Sequence, residues 1–258
     1  MTQAEQLDFL IRELMPDINI PANTAAKWRL FRSLVNMRPA GSVSEKFLQV
    51  QDDFLQNEIK SKGVTDTDDL KPLNGKLCLW QGDITTLKID AIVNAANSQL
   101  TGCYYPCHGC IDNAIHTFAG VQLRNKCAEI MQKQGFPEPT GQAKITPAYN
   151  LPSRYILHTV GPIIRGKLTA HDCEMLASCY RSCLELANAY GLQSIAFCCI
   201  STGEFHFPPQ EAARIAVNTV QKFLSEPTSL QKVIFNVFTD KDKKIYEEIL
   251  HSNIIQND

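Results

Sequence analysis

Two stretches in the C-terminal third, SIAFCCI (194–200) and KVIFNVF (232–238), are apolar almost without interruption. A strand that is apolar at nearly every position has both faces buried, the signature of a largely parallel sheet covered by helices on each side. Candidate strands at 77–80, 91–95, 143–148 and 155–160 extend the pattern. Helical apolar periodicity falls between them, at 112–118, 121–134, 172–190, 209–224 and 241–251. Strands alternating with helices in this way predict a three-layer α/β/α fold with a mixed, largely parallel sheet.

The chain ahead of residue 73 reads differently. Thr2 and Glu5 have capping-box spacing before Phe9, Ile11, Leu14 and Met15, and Pro16 stops that helix. A second helix follows Asn23 or Thr24 and gathers Trp28, Phe31, Leu34 and Val35 on one face. A third begins near Ser44, buries Phe47, Leu48, Phe54, Leu55 and Ile59, and ends at Gly63. The polar stretch 65–69 and Pro72 form a junction. The expected division is a helical N-terminal extension over 1–72 and an α/β domain over 73–258.

Composition narrows the partners. With 44% hydrophobic and 20% charged residues the chain is an ordinary globular one. A net charge of −2 leaves no electrostatic footprint for nucleic acid or an anionic membrane. An anionic ligand must then be held by backbone N–H groups and helix N-termini. No run reaches the roughly 20 apolar residues of a membrane span. The opening MTQAEQLDFLIRELMP lacks the basic n-region of an export signal, so a cytoplasmic location is expected. Ten cysteines then read as free thiols in a reducing compartment, with Cys78, Cys179, Cys183, Cys198 and Cys199 in the core.

Chemistry concentrates in IVNAANSQLTGCYYPCHGCIDNAIH (92–116), which leaves an apolar strand, crosses a loop and enters a helix. Open α/β sheets place ligands at the carboxyl ends of their strands. Asn97 ends the NAAN motif, where small residues allow close approach and an amide can pair with a sugar hydroxyl. Cys103, Cys107, His108 and Cys110 are soft donors suited to Zn²⁺, without the paired spacing of a zinc ribbon or finger. Three ligands on one loop with no distant fourth fit an open site. Spacing alone does not choose among Cys103, Cys107 and Cys110. His108 and Cys110 can converge in a tight turn and Cys103 can reach them, so Cys107 is the expected bystander, with Cys107 in place of Cys110 the alternative. Asp112 and Asn113 open the next helix, where a carboxylate is an ordinary N-terminal residue but can also orient water. His116 shares the helix face of Asp112, and His158 reads as a structural histidine ending a strand.

Two further turns belong with this segment. GDIT (82–85) puts the Asp83 carboxylate beside a glycine turn, either as a plain Asx turn or as an acceptor for an exocyclic amine. ISTGEFHFP (200–208) exposes backbone N–H groups of Ser201, Thr202 and Gly203 ahead of a helix, an arrangement suited to a diphosphate. Phe205 and Phe207 are candidates to stack on a ribose or adenine, and Glu204 is a further acid or base. No G-x-G-x-x-G or P-loop motif is present.

In that order, the GDIT turn, the NAAN strand end, the CIDNAIH helix start and the ISTGEFHFP loop make the chain from about residue 73 resemble a macrodomain. More narrowly, GCYYPCHGCIDNAIH is similar to the zinc-containing microbial macrodomains described as protein-ADP-ribose hydrolases, which also carry a helical N-terminal extension. The resemblance implies that Asp83 contacts the adenine amine with the Ile84 backbone alongside. It implies that Asn97 contacts the distal ribose, and that Ser201, Thr202, Gly203, Glu204 and Phe205 cradle the diphosphate and ribose. One zinc ion is implied on Cys103, His108 and Cys110, with Ile111, Asp112 and Asn113 lining the same end. Metal-free hydrolases of the family usually have a Gly-rich loop where this chain has its cysteines, and Glu204 and His206 depart from the usual second loop.

The expected activity is zinc-dependent removal of mono-ADP-ribose from Asp- or Glu-linked protein side chains. Asp112, Asn97 and Asn113 are its expected catalytic residues. The alternatives are a non-catalytic ADP-ribose-binding module with a structural zinc, and an O-acetyl-ADP-ribose deacetylase. The implied companions are a mono-ADP-ribosylated protein and a sirtuin-like ADP-ribosyltransferase.

Overall fold

The structure is a computed structural model that describes residues 1–255. Six strands form the main sheet: β2 (Leu77–Gln81), β4 (Ala91–Ala95), β5 (Ala143–Pro147), β6 (Tyr155–Thr159), β7 (Ser194–Phe197) and β8 (Lys232–Val237). Their order is β2-β8-β7-β4-β6-β5, parallel throughout except for β5, which pairs antiparallel with β6. The predicted mixed, largely parallel sheet is therefore present. Apolar KVIFNVF is explained by position, since β8 is an inner strand with Val233, Ile234, Phe235 and Val237 all buried.

Helices α4 (Ile111–Ala119) and α5 (Val121–Gln134) connect β4 towards β6. Helices α6 (Ala170–Ala189) and α7 (Pro209–Leu224) carry the chain in the opposite direction, from β6 past β4 to β7 and on to β8. Right-handed crossovers running in opposite directions lie on opposite faces of the sheet. The α6–α7–α8 layer, completed by α8 (Asp240–Ile255), thus faces the α4–α5 layer across it. Among the described residues no helix is long and apolar enough to cross a membrane.

The extension folds as α1 (Gln3–Leu14), α2 (Thr24–Met37) and α3 (Glu45–Lys62). Thr2 closes the expected capping box with Glu5, and Asn23 and Ser44 cap the next two helices through their side-chain oxygens. Helices α2 and α3 lie against α4. At that seam Trp28 sits 5.4 Å from the Phe54 ring and 5.7 Å from Phe118. One apolar cluster runs from Leu7 and Ile11 through these rings into the sheet. The junction adds a short parallel pair unforeseen from sequence, β1 (Thr65–Asp66) with β3 (Leu87–Lys88).

One strand stops earlier than its apolar run predicts. Chain 194–200 leaves the sheet after Phe197, although Cys198 and Ile200 remain buried. The backbone then turns through Ser201, a non-glycine residue at φ 65°. Apolarity there marks burial, not sheet pairing.

Candidate functional site

The parallel strands end along one edge, and the predicted motifs lie on it in spatial order. GDIT follows β2, the 201–208 loop follows β7, and NAAN follows β4. From β2 to β4 is three strand spacings, ~14 Å. The edge can therefore receive an extended ligand, with one end at Asp83 and the other at the 103–110 loop.

At the β2 end Asp83 caps the turn that follows it. Its Oδ1 accepts from the Thr85 amide at 3.0 Å and from the Thr85 hydroxyl at 2.6 Å. Its Oδ2 takes Lys62 Nζ at 2.8 Å, from the last turn of α3. Burial pushes the Asp83 carboxyl up, but the hydrogen bonds from Lys62 and Thr85 outweigh it and hold it below the usual carboxylate range. Lys62 also lies 3.3 Å over the Phe118 ring. Ile84 is buried, leaving its backbone as the feature available to a ligand. Phe238, just past β8, is 76% exposed, and its carbonyl accepts from Gln81 Nε2 beside the same turn.

In the middle, the 201–208 loop is built by two left-handed residues, Ser201 and His206, rather than by glycines. The Ser201 carbonyl accepts from the Phe207 amide at 2.9 Å. The Ser201 hydroxyl is buried without a protein partner among the described residues. Gly161, past the end of β6, makes room for it, since a Cβ there would stand 2.0 Å from Ser201 Oγ. Thr202 and Phe205 are half-buried, Gly203 and Glu204 exposed. Phe207 does not fit its expected stacking role: it is 1% exposed, because the turn at His206 drives its ring into the core.

At the β4 end a polar lattice ties strand, loop and helix together. Asn94 donates to Asp112 Oδ1 at 2.8 Å, and Asn97 donates to Asp112 Oδ2 at 3.3 Å and to the Gly102 carbonyl at 3.1 Å. Asp112 is buried, and that burial raises its carboxyl to about 6 despite the bond from Asn94. Each of its oxygens accepts one amide and keeps one further lone-pair direction. Ile111 is half-buried beside it. Asn113 has a different position from the one expected of a ligand contact. It is fully buried, its Oδ1 accepts from Arg32 at 2.7 Å, and its Nδ2 donates to the Tyr105 carbonyl at 3.0 Å. With both ends of its amide committed inside the protein, it holds the loop.

The donor atoms of Cys103, His108 and Cys110 lie within 4.8 Å of one another, all half-buried. His108 turns Nδ1 to Cys103 Sγ at 3.7 Å and Nε2 to Glu204 Oε1 at 3.5 Å. Cys110 is the N-cap of α4, and its sulfur accepts from the Asn113 amide at 3.4 Å. Cys107 stands apart, its sulfur donating to the Arg29 carbonyl at 3.3 Å. Two sulfurs, one imidazole nitrogen and a backbone N–H on a sulfur are a donor set that fits Zn²⁺. A carboxylate facing the other ring nitrogen is the usual companion of a metal-bound imidazole.

His116, Cys127 and His158 form a second, fully buried group of similar spacing. There Asn94 donates to His158 Nδ1 at 3.1 Å, so Nε2 keeps its proton and is bonded to Thr146 Oγ1 at 3.0 Å. Both ring nitrogens of His158 thus have protein partners, the arrangement of the structural histidine expected. His116 lies 3.6 Å from Asp112 and is buried, with neither ring nitrogen hydrogen-bonded among the described residues.

Several contributors to this site lie outside the sequence motifs. Arg32 and Asn36 on α2, Lys62 on α3 and Arg124 on α5 reach it from distant segments.

A sheet of this order with these loops on its carboxyl edge is a macrodomain architecture, and the Macro domain family matches residues 93–216. The chain belongs to the macrodomain family. It is 55% identical to the Protein-ADP-ribose hydrolase of Treponema medium, across 97% of this chain and 100% of that protein. It is 52% identical to the Protein-ADP-ribose hydrolase of Staphylococcus aureus strain MSSA476, across 94% of each. Among solved structures, the Oceanobacillus iheyensis macrodomain with ADP superposes with TM-score 0.65 at 40% identity, covering 72% of this chain and 96% of that one. The Trypanosoma brucei macrodomain in complex with ADP-ribose gives TM-score 0.65 at 34% identity, covering 84% and 94%.

Proposed function

We propose that this chain hydrolyses the bond joining mono-ADP-ribose to a protein side chain, with Asp and Glu esters as its substrates and Zn²⁺ as its cofactor. The observation that carries the reading is Asp112: a buried carboxylate held by Asn94 and Asn97, beside three soft donors at one end of a nucleotide-length edge. The names of its relatives support the same substrate class. The ligands in the solved macrodomains, ADP and ADP-ribose, support the same binding edge.

In this reading the adenine lies at the β2 end, its amine on the Asp83 carboxylate and its ring against Phe238. Backbone N–H groups of the 201–205 loop hold the diphosphate, with the buried Ser201 hydroxyl beneath. The distal ribose reaches the β4 end, where Asn97 and the α4 N-terminus orient it. Cys103, His108 and Cys110 would hold the zinc ion, which supplies Lewis-acid polarisation of an oxygen at that end. Asp112 uses a free lone pair to orient the attacking water and take its proton. Water adds at the anomeric carbon, the bond to the side-chain oxygen breaks, and ADP-ribose and a free carboxyl side chain leave.

The test is turnover of defined Asp/Glu-linked ADP-ribosylated protein by wild type, by chelator-treated enzyme, and by Asp112→Asn and His108→Ala. We expect kcat to fall at least 100-fold in Asp112→Asn, about 2.7 kcal/mol of barrier. ADP binding should survive in both variants. Binding of ADP-ribose by wild type with no release at stoichiometric enzyme would leave a binding module instead. Release that resists chelation would remove zinc from the reaction.

A further inference from the structure

The 103–110 loop contains no regular secondary structure, and its Cys107 sits at φ 54°, a left-handed conformation that is costly for a non-glycine residue. A loop of that kind does not hold three donors in place by itself. What holds it comes from α2, a helix about 80 positions earlier in the chain. On one side of the peptide preceding His108, the Cys107 amide donates to Asn36 Oδ1 at 2.9 Å. On the other side, Arg32 Nη2 donates to the His108 carbonyl at 2.8 Å. The Arg32 fork also meets Asn113 Oδ1 at 2.7 and 3.2 Å, and Asn113 in turn donates to the Tyr105 carbonyl. The other end of Asn36 donates to Thr117 Oγ1 at 2.9 Å, inside α4. His108 is thus gripped through the backbone on both sides, from a helix packed rigidly on α4.

We propose that Arg32 and Asn36 are positioning residues that preorganise the 103–110 loop and thereby set the affinity of Cys103, His108 and Cys110 for their cation. The proposal rests on the zinc reading above for its cation, but the grip itself does not depend on it. Without the grip, binding must also fix the loop, and the ordering entropy is taken from the binding free energy. Loss of such supporting contacts weakens metal affinity about 10- to 100-fold. The helical extension is then part of the site.

The experiment compares full-length wild type with Arg32→Ala, Arg32→Lys, Asn36→Ala and Lys27→Ala. Lys27 lies on the same helix and pairs with Asp8 at 2.7 Å, away from the loop, so its variant controls for a general loosening of α2. Three quantities are read: zinc affinity by competition with a chromogenic chelator, amide hydrogen exchange of peptides covering 103–110, and ADP affinity by calorimetry. Arg32→Ala and Asn36→Ala should each weaken zinc binding at least 10-fold and speed exchange in 103–110 by a similar factor. ADP affinity, read at the far end of the edge, should stay within about twofold. Arg32→Lys, which keeps the charge but not the fork, should fall between wild type and Arg32→Ala. If the alanine variant of Arg32 fails to fold, Arg32→Lys and Asn36→Ala carry the test. Wild-type exchange and zinc affinity in the folded variants, or equal losses in Lys27→Ala, would overturn the proposal. A wild-type protein that binds no zinc defeats the cofactor reading, and the exchange rates alone then decide the grip.

Discussion

Arg124→Met should be among the most damaging single changes outside the core, by about 4 kcal/mol. Arg124 is 5% exposed and donates Nε to the Thr101 carbonyl at 2.7 Å. Its Nη1 reaches the carbonyls of Val35 and Asn36, both at 2.8 Å, and that of Arg38 at 2.5 Å. The guanidinium also lies 4.3 Å over the Tyr104 ring. Its cation therefore sits where the final carbonyls of α2 concentrate negative charge. Methionine replaces most of the volume, so little cavity forms. The carbonyls of Thr101 and Arg38 belong to half-exposed residues and can turn to water. Those of Val35 and Asn36 are in buried residues and lose their partner at roughly 1.5 kcal/mol each. Losing the cation at the helix C-terminus costs about 1 kcal/mol more. Urea unfolding followed by tryptophan fluorescence reads this loss, since Trp28 lies inside the α2–α4 seam and a Trp80→Phe background isolates its signal. With a slope of about 2.5 kcal/mol/M, the midpoint should drop by about 1.6 M. Arg124→Lys should recover part of it. A Met variant within 1 kcal/mol of wild type would refute the account.

Other substitutions test the remaining parts of the edge. Gly161→Ala should displace Ser201 and weaken ADP binding at least 10-fold, read by calorimetry on the fraction that scanning fluorimetry shows to be folded, with a lowered thermal midpoint from overpacking. Lys62→Met removes the stronger of the bonds that keep Asp83 ionised, so its carboxyl rises; affinity for ADP, which lacks the distal ribose near Asp112, should then begin to fall at a higher pH than in wild type. His158 is held at about 3 by burial, so the unfolded chain takes up its proton first and its share of stability is lost as pH drops below 6.5. Asp112, raised to about 6, works in the opposite sense, so the histidine is isolated by comparing wild type with His158→Gln. Their stability difference should shrink by about 2 kcal/mol from pH 7 to pH 5 in denaturant titrations.

Much of the architecture is readable because burial leaves a period in the sequence. The inner strands could be found from their unbroken apolar runs, and α1 to α3 from caps that sit where Thr2, Asn23 and Ser44 stand. The β1–β3 pair could not, since two residues carry no period. The same limit explains the overshoot at 198–200, where side chains are buried under a loop that no longer pairs. In the site, Asp83, Asn97, Cys103, His108, Cys110 and Asp112 stand out because soft donors, amides and carboxylates cluster at strand ends. Phe238 was masked, because the apolar run 232–238 reads as one strand that includes it, whereas β8 ends at Val237.

Arg32 and Asn36 had no such signal, and the reason is physical. On an amphipathic helix, apolar periodicity identifies the face that enters the core, and whatever remains reads as solvated. Helix α2 breaks that inference. Its apolar residues Phe31, Leu34 and Val35 are buried as predicted, yet Asn36 is 1% exposed and Arg32 is spent on the His108 carbonyl and Asn113. These residues face a loop whose backbone donors and acceptors have no strand or helix to satisfy them. An irregular loop packed against a helix must find polar partners there, because buried N–H and C=O groups left unpaired are costly. A helix beside such a loop is therefore polar on a buried face, and its polar residues are as constrained as its core. That is why the extension, which carries none of the edge motifs, bonds to the edge at both ends: through Lys62 at Asp83, and through α2 at His108.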